Sequence, residues 1–263
     1  MSHVFGIDVS HYQGKIDWKK VAADSKKFCI MKCQYEAQSH RIDETFERNY
    51  MHCGLYGISR GVYIFVGSKS IADPVGDAKA LLGHLNGRHL EYGIWLDYES
   101  ESLRALGKNR IKQITDIYTD LFKNAGYYVG IYCNKTWYEN LIHDDLKKDY
   151  DFWIARYPKN DIGEYHATSN LKPSYSQAVA WQYSSKGHVN GITGNVDLDV
   201  DFDGIVNLIA KDSHRKSNRE IAEEVIKGLW GTKSTKPTRK ELLTRAGYDY
   251  ENIQKIVNEI IYK

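Results

Sequence analysis

The sequence predicts an α/β fold: an irregular (β/α) barrel of eight strands with about five helices, plus a small C-terminal three-helix domain. Three observations carry that prediction. Up to Ile142 each short apolar, β-forming run is followed by a stretch with helical periodicity, which is the mark of βα units and not of a sandwich. After that point the rhythm changes, and three further strand-like runs follow with loops between them. Acids, finally, recur where strands give out. A chain of 263 residues is long enough for such a barrel and a small appendage.

Taken in order, Val4–Ser10 reads as a strand and Asp17–Ser25 as a helix with Asp17 as N-cap. Phe28–Gln34 is the second strand. Asp43–Tyr56 is helical, with Phe46, Tyr50 and Cys53 on one face and Gly57 near its end. Gly61–Gly67 is the third strand, Ile71–Leu85 a helix, and Tyr92–Glu99 the fourth strand. Asn109–Ala125 is the clearest helix: Ile111, Ile114, Ile117, Tyr118, Leu121 and Phe122 make its stripe and Gly126 its stop. Val129–Asn134 is the fifth strand and Thr136–Ile142 a short helix. Phe152–Tyr157, Ala178–Ser184 and Val196–Phe202 complete the eight. The pattern describes a parallel barrel with a degenerate last part, the eighth strand closing against the first.

Lys211–Asn218 is polar and reads as a linker, dividing the chain into residues 1–210, 211–218 and 219–263. Beyond it Ile221, Val225, Ile226, Leu229 and Trp230 form a helical stripe ending at Gly231. Thr238-Arg-Lys-Glu241 is a capping box after Pro237, opening a helix through Leu242 and Leu243 that stops at Gly247. Ile253, Ile256, Val257 and Ile260 make a third helix. So few residues leave a thin core, so modest stability or a homodimer through this domain is expected.

A hydrophobic fraction of 42% with 27% charged residues is ordinary for a globular protein. The formal net charge of +2 argues against nucleic acid as the main partner. Residues 214–263 nevertheless carry 11 Lys and Arg against 7 Asp and Glu, the opposite balance to the rest, which suits a tail that meets something anionic. No apolar run approaches the ~20 residues needed to span a bilayer, so no membrane partner is expected. No signal peptide is expected either, because Val4-Phe5-Gly6-Ile7 leads straight into the first strand. Cys29, Cys33, Cys53 and Cys133 fit no common zinc spacing and no dense disulfide framework, and read as free, mostly buried thiols.

The chemistry centres on Glu91-Tyr-Gly-Ile-Trp-Leu-Asp-Tyr-Glu99. Its apolar part reads as a strand buried on both faces, yet it ends on Asp97 and Glu99. Strand neighbours i and i+2 point the same way, roughly 6.5–7 Å apart, a spacing suited to paired acid chemistry on a glycosidic bond. The plainer alternative is a strand running out into solvent. In parallel barrels, however, the chemistry lies at the carboxyl ends of the strands, where Asp8, Asp97 with Glu99, and an acidic run in the eighth strand converge on one mouth. Tyr63, Tyr132, Trp153, Tyr157, Trp181 and Tyr183 occur at similar levels, lining that mouth or filling barrel and loop layers. The run from Asp197 to Gly204 offers an EF-hand start, but position 12 would be Ala210 and the intervening residues alternate as in a strand; that reading is rejected, leaving room only for a weakly held cation. There is no G-x-S-x-G elbow, Walker A, H-E-x-x-H or dinucleotide fingerprint, and no cofactor or metal is expected. A hydrolase running on carboxylates remains.

On these residues, about residues 4–210 resemble the family 25 glycoside hydrolases, the Chalaropsis-type lysozymes that include many phage endolysins. The resemblance rests on Gly6-Ile-Asp8-Val-Ser-His-Tyr-Gln-Gly14, Gly61-Val-Tyr63-Ile-Phe65, Trp95-Leu-Asp97-Tyr-Glu99, Trp181-Gln-Tyr183 and Gly194-Asn-Val-Asp197-Leu-Asp199. It implies cleavage of the MurNAc–GlcNAc β-1,4 bond of peptidoglycan, with Glu99 as general acid, Asp97 as its partner, and Asp8 and Asp197 as further acids. Lys32, Tyr63, Tyr132 and Trp181 fall where such enzymes line the sugar groove, and Tyr183 of the same motif is a further candidate for substrate binding. The chain departs from the family pattern at Tyr35-Glu36, Ile64 and Asp199. Residues 219–261 resemble the CW_7 (Cpl-7-type) repeat through Ile221-Ala-Glu-Glu-Val-Ile-Lys-Gly-Leu-Trp-Gly231 and Arg245-Ala-Gly-Tyr-Asp-Tyr250, which implies muropeptide binding. Together they imply an endolysin made in the host cytoplasm and acting on the wall after release. The rivals are a chitinase-like β-glycosidase, disfavoured by the tail, and a non-catalytic cell-wall lectin, disfavoured by the intact Asp97 and Glu99.

Overall fold

Eight strands with apolar residues on both faces close on one another, because neither face of such a sheet can be left in water. In the computed structural model, which describes residues 3–35, 40–202, 204–212, 218–232, 234–245, 248 and 250–262, they are β1 (Val4–Val9), β2 (Phe28–Lys32), β3 (Ser59–Phe65), β4 (Ile94–Tyr98), β5 (Val129–Asn134), β6 (Phe152–Ala155), β7 (Ala178–Gly187) and β8 (Val196–Asp201). They form a closed barrel in the order β1-β8-β7-β6-β5-β4-β3-β2. Seven are mutually parallel where they pair. The eighth departs from the expected parallel barrel, since β8 runs antiparallel to both β1 and β7. With a short loop and no crossover helix after β7, the chain can only return in the opposite direction. A two-stranded ribbon, Gln34–Tyr35 with Arg41–Ile42, stands outside the barrel.

The helices are α1 (Trp18–Ala23), α2 (Phe46–Leu55), α3 (Ser68–Ala72), α4 (Pro74–Leu85), α5 (Glu101–Arg104), α6 (Gly107–Asn124), α7 (Lys135–Asn140), α8 (Asp144–Asp149) and α9 (Ile205–Asp212), followed by α10 (Asn218–Ile226), α11 (Arg239–Arg245) and α12 (Tyr250–Ile261). The helix expected over Ile71–Leu85 is two: Pro74 starts α4 and the Asp73 carboxylate caps it, accepting from Gly76 N at 2.9 Å. Asp17 caps α1 as expected. The packed face of α6 includes Thr115 and Thr119 beside Ile111, Ile114, Tyr118 and Phe122, because both hydroxyls find partners within the core.

Side-chain alternation sorts the core into two layers. Outward-facing Ile7, Val9, Met31, Val62, Ile64, Leu96, Ile131 and Ile154 pack beneath the helices with Trp18, Leu81, Ile114 and Phe122. Inward-facing Phe28, Ile30, Trp95, Trp153 and Ala180 fill the lower barrel. The barrel takes these large rings because facing positions are empty: a Cβ on Gly6 would lie 2.5 Å from the Phe28 ring, and one on Gly130 would lie 2.3 Å from Trp95. Helix α9, which the sequence pattern did not reveal, seals the bottom, with Ile205 fully buried and Leu208 and Ile209 packed on the same cluster.

Lys211 and Asp212, expected in the linker, belong to α9 and Asn218 to α10; residues 213–217 lie outside the described residues, as do Glu36, Asp203 and Gly247. The last three helices enclose their own core of Ile221, Ala222, Val225, Leu243, Tyr248, Ile253 and Val257. Thr238 and Glu241 form the expected capping box, Thr238 N donating to Glu241 Oε2 at 2.7 Å and Glu241 N to Thr238 Oγ1 at 3.3 Å. Helix α10 stops at Ile226, ahead of the expected Trp230, where Gly228 turns the chain at φ 80. Among the described residues no helix is long and apolar enough to cross a membrane.

Candidate active site

The upper barrel is where inward-facing positions change from rings to acids. On β4 the inward series runs Trp95 then Asp97, and Glu99 follows directly after the strand, so the floor of the mouth is aromatic and its wall acidic. Register sets Asp97 between Phe65 of β3 and Tyr132 of β5. Beyond the strand, Ser100 anchors the chain by donating to Val66 O at 2.7 Å and capping α5, which fixes Glu99 between two held points. Asp8, Tyr63, Asp97, Glu99, Tyr132, Trp153, Tyr157, Gln182 and Asp197 line one cavity of ≈ 200 Å³.

All four acids expected in the site therefore meet. Asp197 does so for a different reason from the one anticipated: the antiparallel β8 begins at the mouth, and Asp197 stands opposite Asp8 in the ladder. The acidic run then descends through the barrel. Asp199 is fully buried, accepting from Trp153 Nε1 at 2.9 Å. Asp201 lies at the bottom, accepting from Tyr92 OH at 3.0 Å and from Ile205 N at 2.7 Å, which caps α9.

Burial governs the electrostatics. It raises the Asp97 carboxyl well above its ordinary range, the Glu99 charge raises it further, and Lys32 opposes both. Glu99 is also raised by burial against the pull of Lys32. Two such neighbours cannot both ionise freely, so each carboxylate makes the other harder to form. Asp97 is only 7% exposed, and its Oδ1 is buried without a hydrogen-bond partner. The Glu99 side chain is exposed to the mouth. Asp8 is raised by burial, then by the charges of Asp197 and Asp199. Asp197 is raised to about 6, by burial, then by Glu99 and Asp161. Among the described residues no group of three or more His, Cys, Asp or Glu is arranged to hold a metal ion.

Of the expected sugar-binding residues, Tyr63 and Tyr132 line the cavity. Lys32 sits at its edge, its Nζ 5.4 Å from the Tyr35 ring centroid and 5.9 Å from that of Phe65, acting on the carboxyls through its charge. Trp181 and Tyr183 are corrections. Both lie on the outward side of β7 in the packed layer with Tyr165, and Trp181 Nε1 donates to Arg156 O at 2.9 Å. Strand alternation turns Gln182, between them, into the cavity instead. Gln182 is the residue missed: its Nε2 donates to Asp8 Oδ2 at 2.6 Å, while Tyr132 OH (2.8 Å) and Tyr157 OH donate to its Oε1. The signal was present, since Ala180, Gln182 and Ser184 alternate with Val179, Trp181 and Tyr183. The four cysteines are free and buried, away from the cavity lining.

The family description "Glycosyl hydrolases family 25" matches residues 7–192 and "CW_7 repeat" matches residues 219–261. The autolytic lysozyme of Clostridium acetobutylicum is 27% identical over 204 residues, 76% of this chain and 56% of that protein. The lysozyme of Streptococcus phage Cp-7 is 31% identical over 170 residues, 63% of this chain and 45% of that protein. The chain thus spans about half the length of these two relatives. The crystal structure of the CTP1L endolysin superposes with a TM-score of 0.64 at 21% identity, covering 79% of this chain and 70% of that one, a likeness of fold.

Proposed function

The chain belongs to the glycosyl hydrolases of family 25, and from that premise we propose that it is a cell-wall lytic muramidase, hydrolysing the β-1,4 bond between MurNAc and GlcNAc. The observation that carries this reading is the carboxyl pair in a cavity, one oxygen of which has no partner within the protein. Glu99, accessible from the mouth and raised by burial, holds the proton that the leaving oxygen needs. Asp97 stands beside it on the same strand face, an unfavourable placement for an inverting water, which needs carboxyls ~6.5–9.5 Å apart on opposite faces of a sugar. Its free Oδ1 instead suits the N–H of the substrate's N-acetyl group, whose carbonyl attacks the anomeric carbon as the bond to the leaving oxygen breaks. Glu99 then takes a proton from the water that opens the cyclised sugar, and net configuration is retained.

Asp8 is held by Gln182, and Tyr132 and Tyr157 are fixed by the same amide, so these residues shape the pocket floor as one unit. The C-terminal repeat supplies retention on the wall, raising the local enzyme concentration without altering the chemistry. Such a chain acts as an endolysin on the wall of the cell in which it is made. Mass spectrometry of the reducing ends released from purified wall tests the bond assignment: muramic acid ends support it and glucosamine ends overturn it. An NMR time course tests the route, with the β-anomer expected first.

A further inference from the structure

The turn after β1 carries a feature that bond cleavage leaves unused. Ser10 and Gln13 cap one another around the short turn His11–Gln13, with Ser10 N donating to Gln13 Oε1 at 2.9 Å. Arg48 and Asn195 hold the same turn from outside, Arg48 donating to Gly14 O and Asn195 O accepting from Gln13 Nε2. His11 is tied twice to the buried Asp43 carboxylate, through N at 3.2 Å and Nδ1 at 3.0 Å. Against this fixed imidazole the Tyr12 ring packs at 4.1 Å between centroids and 35° between planes, yet Tyr12 is 82% exposed. A large ring ordered by the fold and left open to water has already met the entropic cost of binding.

Tyr35 adjoins the same imidazole at 4.9 Å, but the Lys32 and Arg41 cations lie over its ring at 5.4 Å and 5.2 Å. Tyr12 is the aromatic face left free. It lies close to the cavity: the side chain of Ser10, two residues before it, neighbours that of Tyr63, which lines the cavity. That cavity, at ≈ 200 Å³, is smaller than the roughly 300–1,000 Å³ that encloses a drug-sized ligand. A polymeric substrate must therefore continue past it over the rim.

We propose that Tyr12, backed by His11 and Asp43, is a further saccharide subsite, on which a pyranose of the glycan strand outside the cavity stacks its C–H face. The proposal rests on the chain being a peptidoglycan hydrolase. The test is titration calorimetry with peptide-free glycan, a tetrasaccharide against an octasaccharide, on the full chain carrying Glu99→Gln. The octasaccharide is expected to bind more tightly, and adding Tyr12→Ala is expected to remove about threefold to tenfold of that advantage while Tyr12→Phe keeps it. Unchanged affinities in the Tyr12→Ala protein, or an equal loss for both lengths, would overturn the subsite. If the unsubstituted chain cleaves neither glycan but shows the Tyr12-dependent length effect, the hydrolase reading falls and the subsite stands.

Discussion

Asp197→Asn should stabilise the barrel above about pH 6 and leave it unchanged below about pH 4. The folded state raises the Asp197 carboxyl from 3.8 to about 6, through burial and the charges of Glu99 and Asp161. Between those values the folded chain binds a proton that the unfolded chain has released, so raising the pH destabilises the fold across that window. Above it the full difference is lost. At 1.36 kcal/mol per pH unit the gap corresponds to about 3 kcal/mol as a ceiling. Water at the mouth screens the charge and neighbouring acids retitrate, so about 1–2 kcal/mol is the expected gain for a neutral amide of the same shape. In a domain of this size that raises the melting temperature by about 2–8 °C. Thermal unfolding of both proteins by circular dichroism, from pH 3.5 to 8, reads the difference directly. A variant that melts below the parent at pH 7.5, or one whose gain is the same at every pH, would refute the reasoning. Any lysis it loses measures what the destabilising charge is kept for.

Three further outcomes are expected. Glu99→Gln should keep its far-ultraviolet spectrum and lose roughly 10²–10⁴-fold in lytic rate, measured as clearing of a wall suspension, because an amide cannot donate the proton. Trp181→Ala should cost about 3–5 kcal/mol in denaturant unfolding, since its ring is buried in the outer layer, while the more conservative Trp181→Phe should leave KM for soluble glycan within error. Removing residues 218–263 should weaken wall binding in a pull-down without changing the rate on a soluble glycan fragment.

How far the site was legible depends on what each signal measures. Alternation along a strand is a local property, so the shared face of Asp97 and Glu99 could be read directly from their spacing. The same property misassigned Trp181 and Tyr183, because an aromatic ring on a strand fits an outer layer under a loop as well as a sugar groove, and only the inward Gln182 distinguishes the two. Strand direction is not local. Nothing within Val196–Phe202 says which way the segment runs; the absence of a helix before it was the only clue, and it separates Asp197 at the mouth from Asp201 at the bottom. Helix α9 was hidden for a similar reason: its apolar residues answer to the barrel floor, a surface that exists only once eight strands have closed.

The last strand also poses a problem of alignment. Its sequence repeats with the period of the pleat, an acid followed by an apolar residue from Asp197 to Phe202. Sliding it by two residues would keep every acid inward and every apolar side chain outward, so patterning cannot choose between the two pairings. The choice falls to contacts that occur once. Leu198 fills the space left by Gly187, where a Cβ would sit 2.3 Å from its branch point, and Trp153 finds its acceptor only on Asp199. At the far end Asp201 is held by Tyr92 and by the first turn of α9. The helix that closes the floor thus acts as the stop against which the strand is measured, and correct placement of the Asp197 carboxyl beside Asp8 is set at the opposite pole of the barrel.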